Sequence, residues 1–137
     1  MNINDTYRHI INSDENSLML IRQMYDENLQ PHLFQIHNNS QALALCISFY
    51  DRLLPEKQNI RLQIMQEFLN HGADINRQNT SGNTALHLLA HSNFNVELFQ
   101  LLHFHGASLN IKNNHGYNIL LYATKNNNIE LIKYLIS

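Results

Sequence analysis

One cysteine, Cys46, is present among 137 residues, so no intramolecular disulfide can form and a multi-cysteine zinc site is excluded. A reducing, cytosol-like compartment is the default for such a chain. Glycine is scarce, with four in all, and no Gly-x-x-x-x-Gly-Lys loop occurs to cradle a phosphate. Charge is scarce too. Charged residues make up 15% and the formal net charge is −2. There is no basic stripe for nucleic acid and no acidic tail. Asp and Glu form no visible paired-carboxylate site. Apolar runs such as Ala42–Ile47 are far too short to span a bilayer. The start, Met1-Asn2-Ile3-Asn4-Asp5, lacks the positive region and apolar run of a secretory signal. What the chain does have is asparagine, from Asn2 to the Asn126-Asn127-Asn128 run. With Ile, Lys, Tyr and Phe it gives a composition suited to an AT-rich genome.

The chain also repeats itself. Gly72-Ala73-Asp74-Ile75-Asn76 returns as Gly106-Ala107-Ser108-Leu109-Asn110, a shift of 34. Gly82-Asn83-Thr84-Ala85-Leu86 returns as Gly116-Tyr117-Asn118-Ile119-Leu120 at the same shift. A common register of this length marks a stacked repeat. Within one unit, Ala85, Leu86, Leu89 and Ala90 have helical spacing, with Thr84 in the N-cap position. Val96, Leu98, Phe99, Leu101 and Leu102 form a second apolar face. Gly106 lies where a helix-ending glycine takes positive φ, and Gly82 and Gly116 lie mid-loop, where a tight turn needs the same freedom.

Gly82-Asn83-Thr84-Ala85-Leu86-His87 resembles the ankyrin G-x-T-P-L-H signature, with Ala85 in place of proline. Phe68 to Asn76 resembles that family's L-L-x-x-G-A-D-V-N ending. The resemblance is specific from Phe68 to Ser137. It implies an all-α ankyrin-repeat solenoid of about four stacked helix pairs with short hairpin-like loops. The last unit departs from the pattern at Asn118, Ile119 and Leu121, where the family has Thr, Pro and His. It stops before a closing Gly-Ala-Asp, so the natural protein is expected to continue past Ser137; alternatively, Lys125, Asn126–Asn128 and Lys133 make the last unit its own polar cap.

The first half is less regular. Gln41–Ile47 aligns with Thr84–Ala90, and Ile64, Met65, Phe68 and Leu69 with the second helix of the next unit. About ten additional residues lie between these helices, around Phe49–Asn59. The first helix is expected to run on to Leu53 or Leu54, with Pro55 opening the next. Ser13-Asp14-Glu15 signals a helix start ahead of Leu18, Ile21, Met24 and Tyr25, and Thr6–Ile11 suggests a shorter helix before it. Pro31 and Asn38-Asn39-Ser40 mark a loop. The array thus divides into a degenerate N-terminal capping unit (1–36), a unit with a helix insertion (37–76), a third unit (77–110) and a last, incomplete one (111–137).

Nine histidines raise the question of metal. His87 and His91 have an i, i+4 spacing that can bind zinc, and His103 and His105 form a second pair. Leu88 stands where an H-E-x-x-H enzyme needs Glu. His87 occupies the family's structural position, where the imidazole bonds backbone of neighbouring loops, and His71 and His105 precede helix-ending glycines. No metal, cofactor or catalytic residue is assigned. Cys46 falls at a core position and reads as a small buried hydrophobe.

The resemblance instead implies a protein-binding module whose partner docks on loop tips and the exposed side of each first helix. The residues that map there are Thr80, Ser81, Asn83, His91 and Ser92 in the third unit, and Asn114, His115, Tyr117, Lys125 and Asn126 in the fourth. His37, Asn38, Ser40, Ser48 and Phe49 map there in the second unit. Aromatic anchors are favoured at interfaces, which singles out Tyr117, whereas Tyr122 is expected to pack on its neighbour. Asn76 and Asn110 are expected to fix their loops. The sequence reads as a non-enzymatic, monomeric, cytoplasmic protein that binds another protein, with no nucleic acid and no membrane insertion. It resembles ankyrin-repeat effectors of intracellular bacteria and large viruses, which would place it in a host cytosol. The alternative is the substrate-recruiting front of a longer enzyme.

Overall fold

A computed structural model describes residues 8–10, 12–25, 36–47, 50, 53–91 and 95–137, with backbone only at 24 and 36–39. Seven bounded helices lie among them: α1 (Glu15–Met24), α2 (Ile36–Ile47), α3 (Pro55–Asn70), α4 (Ala85–His91), α5 (Val96–Phe104), α6 (Ile119–Lys125) and α7 (Ile129–Ile136). Among the described residues there is no strand. The chain divides into two units, Met1–Asp74 and Ile75–Ser137.

In the first unit α3 packs against both α1 and α2. A helical stretch at residues 8–10 precedes α1; the rest of the expected helix over Thr6–Ile11 lies outside the described residues. Ser13 ends it with φ of 46°, and Asp14 caps α1 by accepting from the Ser17 N–H at 2.7 Å. Leu18 and Ile21 face the core with Ile10, Cys46, Ile64, Met65 and Phe68, each at most 2% exposed. Burying an aliphatic or aromatic side chain of this kind stabilises by about 1.5–3 kcal/mol. Arg61 of α3 is buried among them. Its guanidinium donates to Ser13 Oγ (2.9 Å) and to the Ile10 carbonyl (2.8 Å). It thereby ties the entry of α1 to α3.

The expected run of α2 to Leu53 or Leu54 is not observed. The helix is bounded at Ile47, Leu53 lies in a bend, and Leu54 is extended with φ −61° and ψ 149°. Pro55 forces this, because its ring excludes the helical region for the preceding residue. Pro55 itself opens α3, where its missing N–H costs nothing.

In the second unit two helix pairs, α4–α5 and α6–α7, stack with α4 against α6. Leu86, Leu89, Leu98, Leu102, Ala123 and Leu131 are each at most 1% exposed. Helices α3 and α5 end alike. Gly72 and Gly106 follow the last turn with φ near 90°. Ala73 N–H reaches back to the Phe68 carbonyl, and Ala107 N–H to that of Leu102. These are the six-to-one bonds of a Schellman cap. Helix α6 ends the same way without glycine. Asn127 takes φ of 55° and Asn128 N–H bonds the Ala123 carbonyl at 2.9 Å.

Candidate functional site

The loops that precede α4 and α6 are built identically. Asn79 Oδ1 accepts from the N–H groups of Ser81 (3.0 Å) and Asn83 (2.9 Å), and Gly82 N–H closes on the Asn79 carbonyl at 2.9 Å. Thirty-four residues on, Asn113 Oδ1 accepts from His115 and Tyr117, both at 3.0 Å, and Gly116 closes on Asn113 at 2.9 Å. An asparagine carboxamide here replaces backbone partners that a tight turn lacks.

The two loops are then joined. Asn113 Nδ2 donates to Asn83 Oδ1 at 2.9 Å. Asn114 sends its N–H to the Ser81 carbonyl (3.1 Å) and its side chain to that of Thr80 (2.8 Å). Gln78 Nε2 donates to the carbonyls of Gly82 and Lys112, both at 2.9 Å. Gly82 lies against this seam. A Cβ there would stand 2.5 Å from Asn114 Oδ1 and 2.6 Å from its nitrogen.

His87 locks the seam from below. Thr84 N–H donates to Nδ1 at 3.1 Å, so that nitrogen is unprotonated. The ring proton therefore sits on Nε2, which donates to the Tyr117 carbonyl at 2.8 Å. Burial holds the imidazole pKa below its usual value, and the Tyr117 carbonyl pulls the other way. Thr84 does stand at the N-cap position, but its hydroxyl bonds the His87 ring at 2.9 Å. Where a capping box has Glu three residues on, this chain has the imidazole. In the last unit the cap is simpler: Asn118 Oδ1 accepts from Leu121 N–H at 3.0 Å.

The sequence-assigned binding residues separate into two groups. Thr80, Ser81, His91, His115, Lys125 and Asn126 are exposed, and Tyr117 is half-buried. His115 and Tyr117 stack with ring centroids 5.9 Å apart. His91 Nδ1 lies 3.3 Å from Asn126 Oδ1, and Tyr122 packs on His87 at 5.3 Å and on His91 at 6.4 Å. Asn83 and Asn114 instead spend their side chains on the seam. Ser40 is buried, its hydroxyl accepting from Asp74 N–H at 2.8 Å, which removes it from any docking surface. Ser92, Ser48, Phe49 and the side chains of His37 and Asn38 lie outside the described residues.

Sequence reasoning passed over Gln78, Asn79 and Asn113. The signal was present, since Asn79 and Asn113 recur at the repeat distance. Asn76 fixes its loop as expected, bridging the Gly106 carbonyl (3.1 Å) and Ser108 N–H (2.8 Å). Burial pushes the Cys46 thiol up to about 12, against the opposing pull of Arg61. Among the described residues no group of three or more His, Cys, Asp or Glu is placed to hold a metal, and no helix is long and apolar enough to cross a membrane.

The family described as "Ankyrin repeats (3 copies)" matches residues 56–137. The chain belongs to the ankyrin-repeat family. Its relatives include a putative ankyrin repeat protein of fowlpox virus, 46% identical over 54% of this chain and 22% of the relative. An ankyrin repeat protein of variola virus is 34% identical over 69% of this chain and 16% of the relative. A putative ankyrin repeat protein of Acanthamoeba polyphaga mimivirus is 41% identical over 47% of this chain and 16% of the relative. This ankyrin chain therefore spans about a fifth or less of the curated relatives it matches. These relatives are viral, so the likeness to bacterial effectors gives way to one with viral ankyrin-repeat proteins. A composition rich in AT-coded residues is compatible with either source, which is why it did not decide between them.

Proposed function

We propose that this ankyrin-repeat chain is a protein-binding module whose partner docks on the loop tips before α4 and α6 and on the adjoining exposed side of those helices. The observation that carries the reading is the seam. Two Asn-organised loops and the His87 bridge fix the backbone, so the side chains at the tips are presented with little entropy left to lose on binding. Tyr117, stacked with His115, is the aromatic anchor. His91, Lys125 and Asn126 extend the surface along the helix ends. The role is host-directed, in the cytosol of the host cell, which the viral relatives support. It is non-enzymatic in this reading; among the described residues the one cysteine, Cys46, is buried in the core with its thiol held protonated.

A second reading is favoured by the small share of its relatives that the chain spans: the repeats recruit a substrate for a function carried elsewhere in a longer protein. Tagged chain and its Tyr117→Ala and Lys125→Glu variants, exposed to host-cell lysate, separate the outcomes by quantitative proteomics. A partner depleted by both variants, with unchanged circular dichroism, supports the docking surface. Equal capture by wild type and variants would sink it.

A further inference from the structure

The turn before α4 presents a hydroxyl that nothing among the described residues uses. Gly82 N–H closes on the Asn79 carbonyl at 2.9 Å, which puts Thr80 and Ser81 at the two central positions of a β-turn. Thr80 is exposed. Its carbonyl accepts from the Asn114 side chain at 2.8 Å, but no partner among the described residues holds its hydroxyl. Hydroxyls elsewhere are committed. That of Thr84 meets the buried His87 ring at 2.9 Å. Those of Thr124 and Ser137 donate to the Leu120 and Tyr134 carbonyls at 2.8 and 2.9 Å. Ser13, Ser17 and Ser40 are buried.

Charge singles out Thr80. Among all Ser and Thr residues of the chain it alone has Arg or Lys three positions earlier, in Arg77-Gln78-Asn79-Thr80. Ser81, exposed beside it, has Gln78 at that distance. Arg77 and Gln78 lie in neither helix nor turn, and Arg77 is half-buried. The chain therefore approaches the hydroxyl from its N-terminal side in a form that an enzyme can bind as an open segment. Like charge is scarce around it. No carboxylate occurs from Ile75 to Val96 or from Leu98 to Ile129. Asn114, bonded to Thr80, supplies an amide, and the exposed His115 follows it. A dianion at the tip would gain donors rather than repulsion.

We propose that Thr80 is a phosphorylation site for an arginine-directed Ser/Thr kinase, with ATP as the phosphoryl donor. The Thr80 hydroxyl oxygen forms a bond to the γ-phosphorus. The bond from that phosphorus to the β–γ bridging oxygen breaks, and ADP departs. The hydroxyl proton passes to the catalytic carboxylate of the kinase. Arg77 determines specificity, because a guanidinium offers kinase carboxylates a bidentate partner at a fixed distance from the acceptor. The product adds about −1.5 to −2 charge to the loop tip. It breaks no hydrogen bond of the seam, since the Thr80 hydroxyl makes none there. The site stands independently of the proposed docking surface.

The test incubates the full, folded chain with ATP and a calcium/calmodulin-dependent kinase that selects arginine, and separately with a proline-directed kinase. Intact mass should rise by a single phosphate with the first kinase only, because no Ser or Thr in the chain precedes proline. Peptide fragmentation should place that phosphate on Thr80. Thr80→Ala should abolish incorporation with unchanged circular dichroism, and Thr80→Ser should restore it. Arg77→Gln should slow incorporation at least about tenfold. Arg77→Lys, which keeps the charge and controls for folding, should recover part of the rate. No incorporation into the folded chain, phosphate on another residue, or a rate indifferent to Arg77 overturns the proposal. So does incorporation seen only above the thermal midpoint, because the substrate is then the unfolded chain.

Discussion

Replacing His87 by Leu, the residue at the matching place one repeat on, leaves the buried Thr84 N–H without its acceptor. The Tyr117 carbonyl keeps its bond from Asn113, so the loss falls mainly on Thr84, at about 1–3 kcal/mol. Urea unfolding should show this as a lower midpoint. The same side chain gives a pH dependence. Its native form is neutral, with a pKa held below the ordinary 6.5 by burial. Below that ordinary value the unfolded chain takes up a proton that the native ring refuses. The contribution of His87 is therefore complete above the unfolded pKa and is lost as pH falls through the folded one. Between about pH 7.5 and about pH 5 the wild type should lose more stability than His87→Gln; parallel losses would show that other groups carry the dependence. Gly82 and Gly116 share a positive φ but not a neighbourhood. Gly116→Ala should cost only the backbone strain, about 1 kcal/mol. Gly82→Ala adds a collision with Asn114 backbone and should cost clearly more, as read from thermal midpoints. The glycines were visible in the sequence; the close approach at Gly82 was not, because it is made by residues some thirty positions away.

At the scale of the element, asparagine explains how short helices are held. Asn95, Asn118 and Asn128 each accept from the N–H three residues on. Helices α4 to α7 have 7 to 9 residues, too short to persist alone, so their ends matter. Substituting Asn118 or Asn128 by Ala should cost about 0.5–2 kcal/mol each. The Asn126-Asn127-Asn128 run, which the sequence offered as part of a polar cap on the last unit, has three separate duties. Asn126 closes α6, Asn127 takes the left-handed conformation, and Asn128 caps α7 and also donates to the Ala90 carbonyl at 3.0 Å. Asn127→Gly should be neutral or stabilising, since glycine meets no penalty there, while Asn127→Val should destabilise by about 1 kcal/mol or more. Equal midpoints for the two variants in a denaturant series would remove the left-handed cap from the account. Pro55 shows the opposite relation between sequence and element. Its position at the start of α3 was legible, yet the expected run of α2 fails at Leu53, which lies in a bend, and at Leu54, which the following proline holds extended.

For the molecule, the two units each have their own core, and the lone thiol reports on the first. Cys46 is fully buried and protonated at neutral pH. A thiol reagent at about pH 8 should label the native chain only at the rate at which the first unit opens, and should label it at once in denaturant. Fast labelling of the native chain would mean that this core is not closed in solution. Substitutions on the second unit's loop tips, Tyr117→Ala or Lys125→Glu, should leave that labelling rate unchanged while altering partner capture. In the proposed reading stability and recognition are carried by different residues, with exposed tips standing on a bonded scaffold.

Repeat, helix pairs and family were determined by the sequence alone. They rest on local signals: periodic apolar residues, glycines at fixed offsets and a motif that recurs after 34 residues. The engagement of the loop-tip residues was only half legible. The sequence places Thr80, Asn83, Asn114 and Tyr117 at loop tips, but not which of them are already engaged. That division follows from how adjacent loops meet, and it turned Asn83 and Asn114 into parts of the seam. The tertiary structure alone decided this, because a hydrogen bond across a repeat boundary is fixed by distances in space, and no spacing along the chain records them.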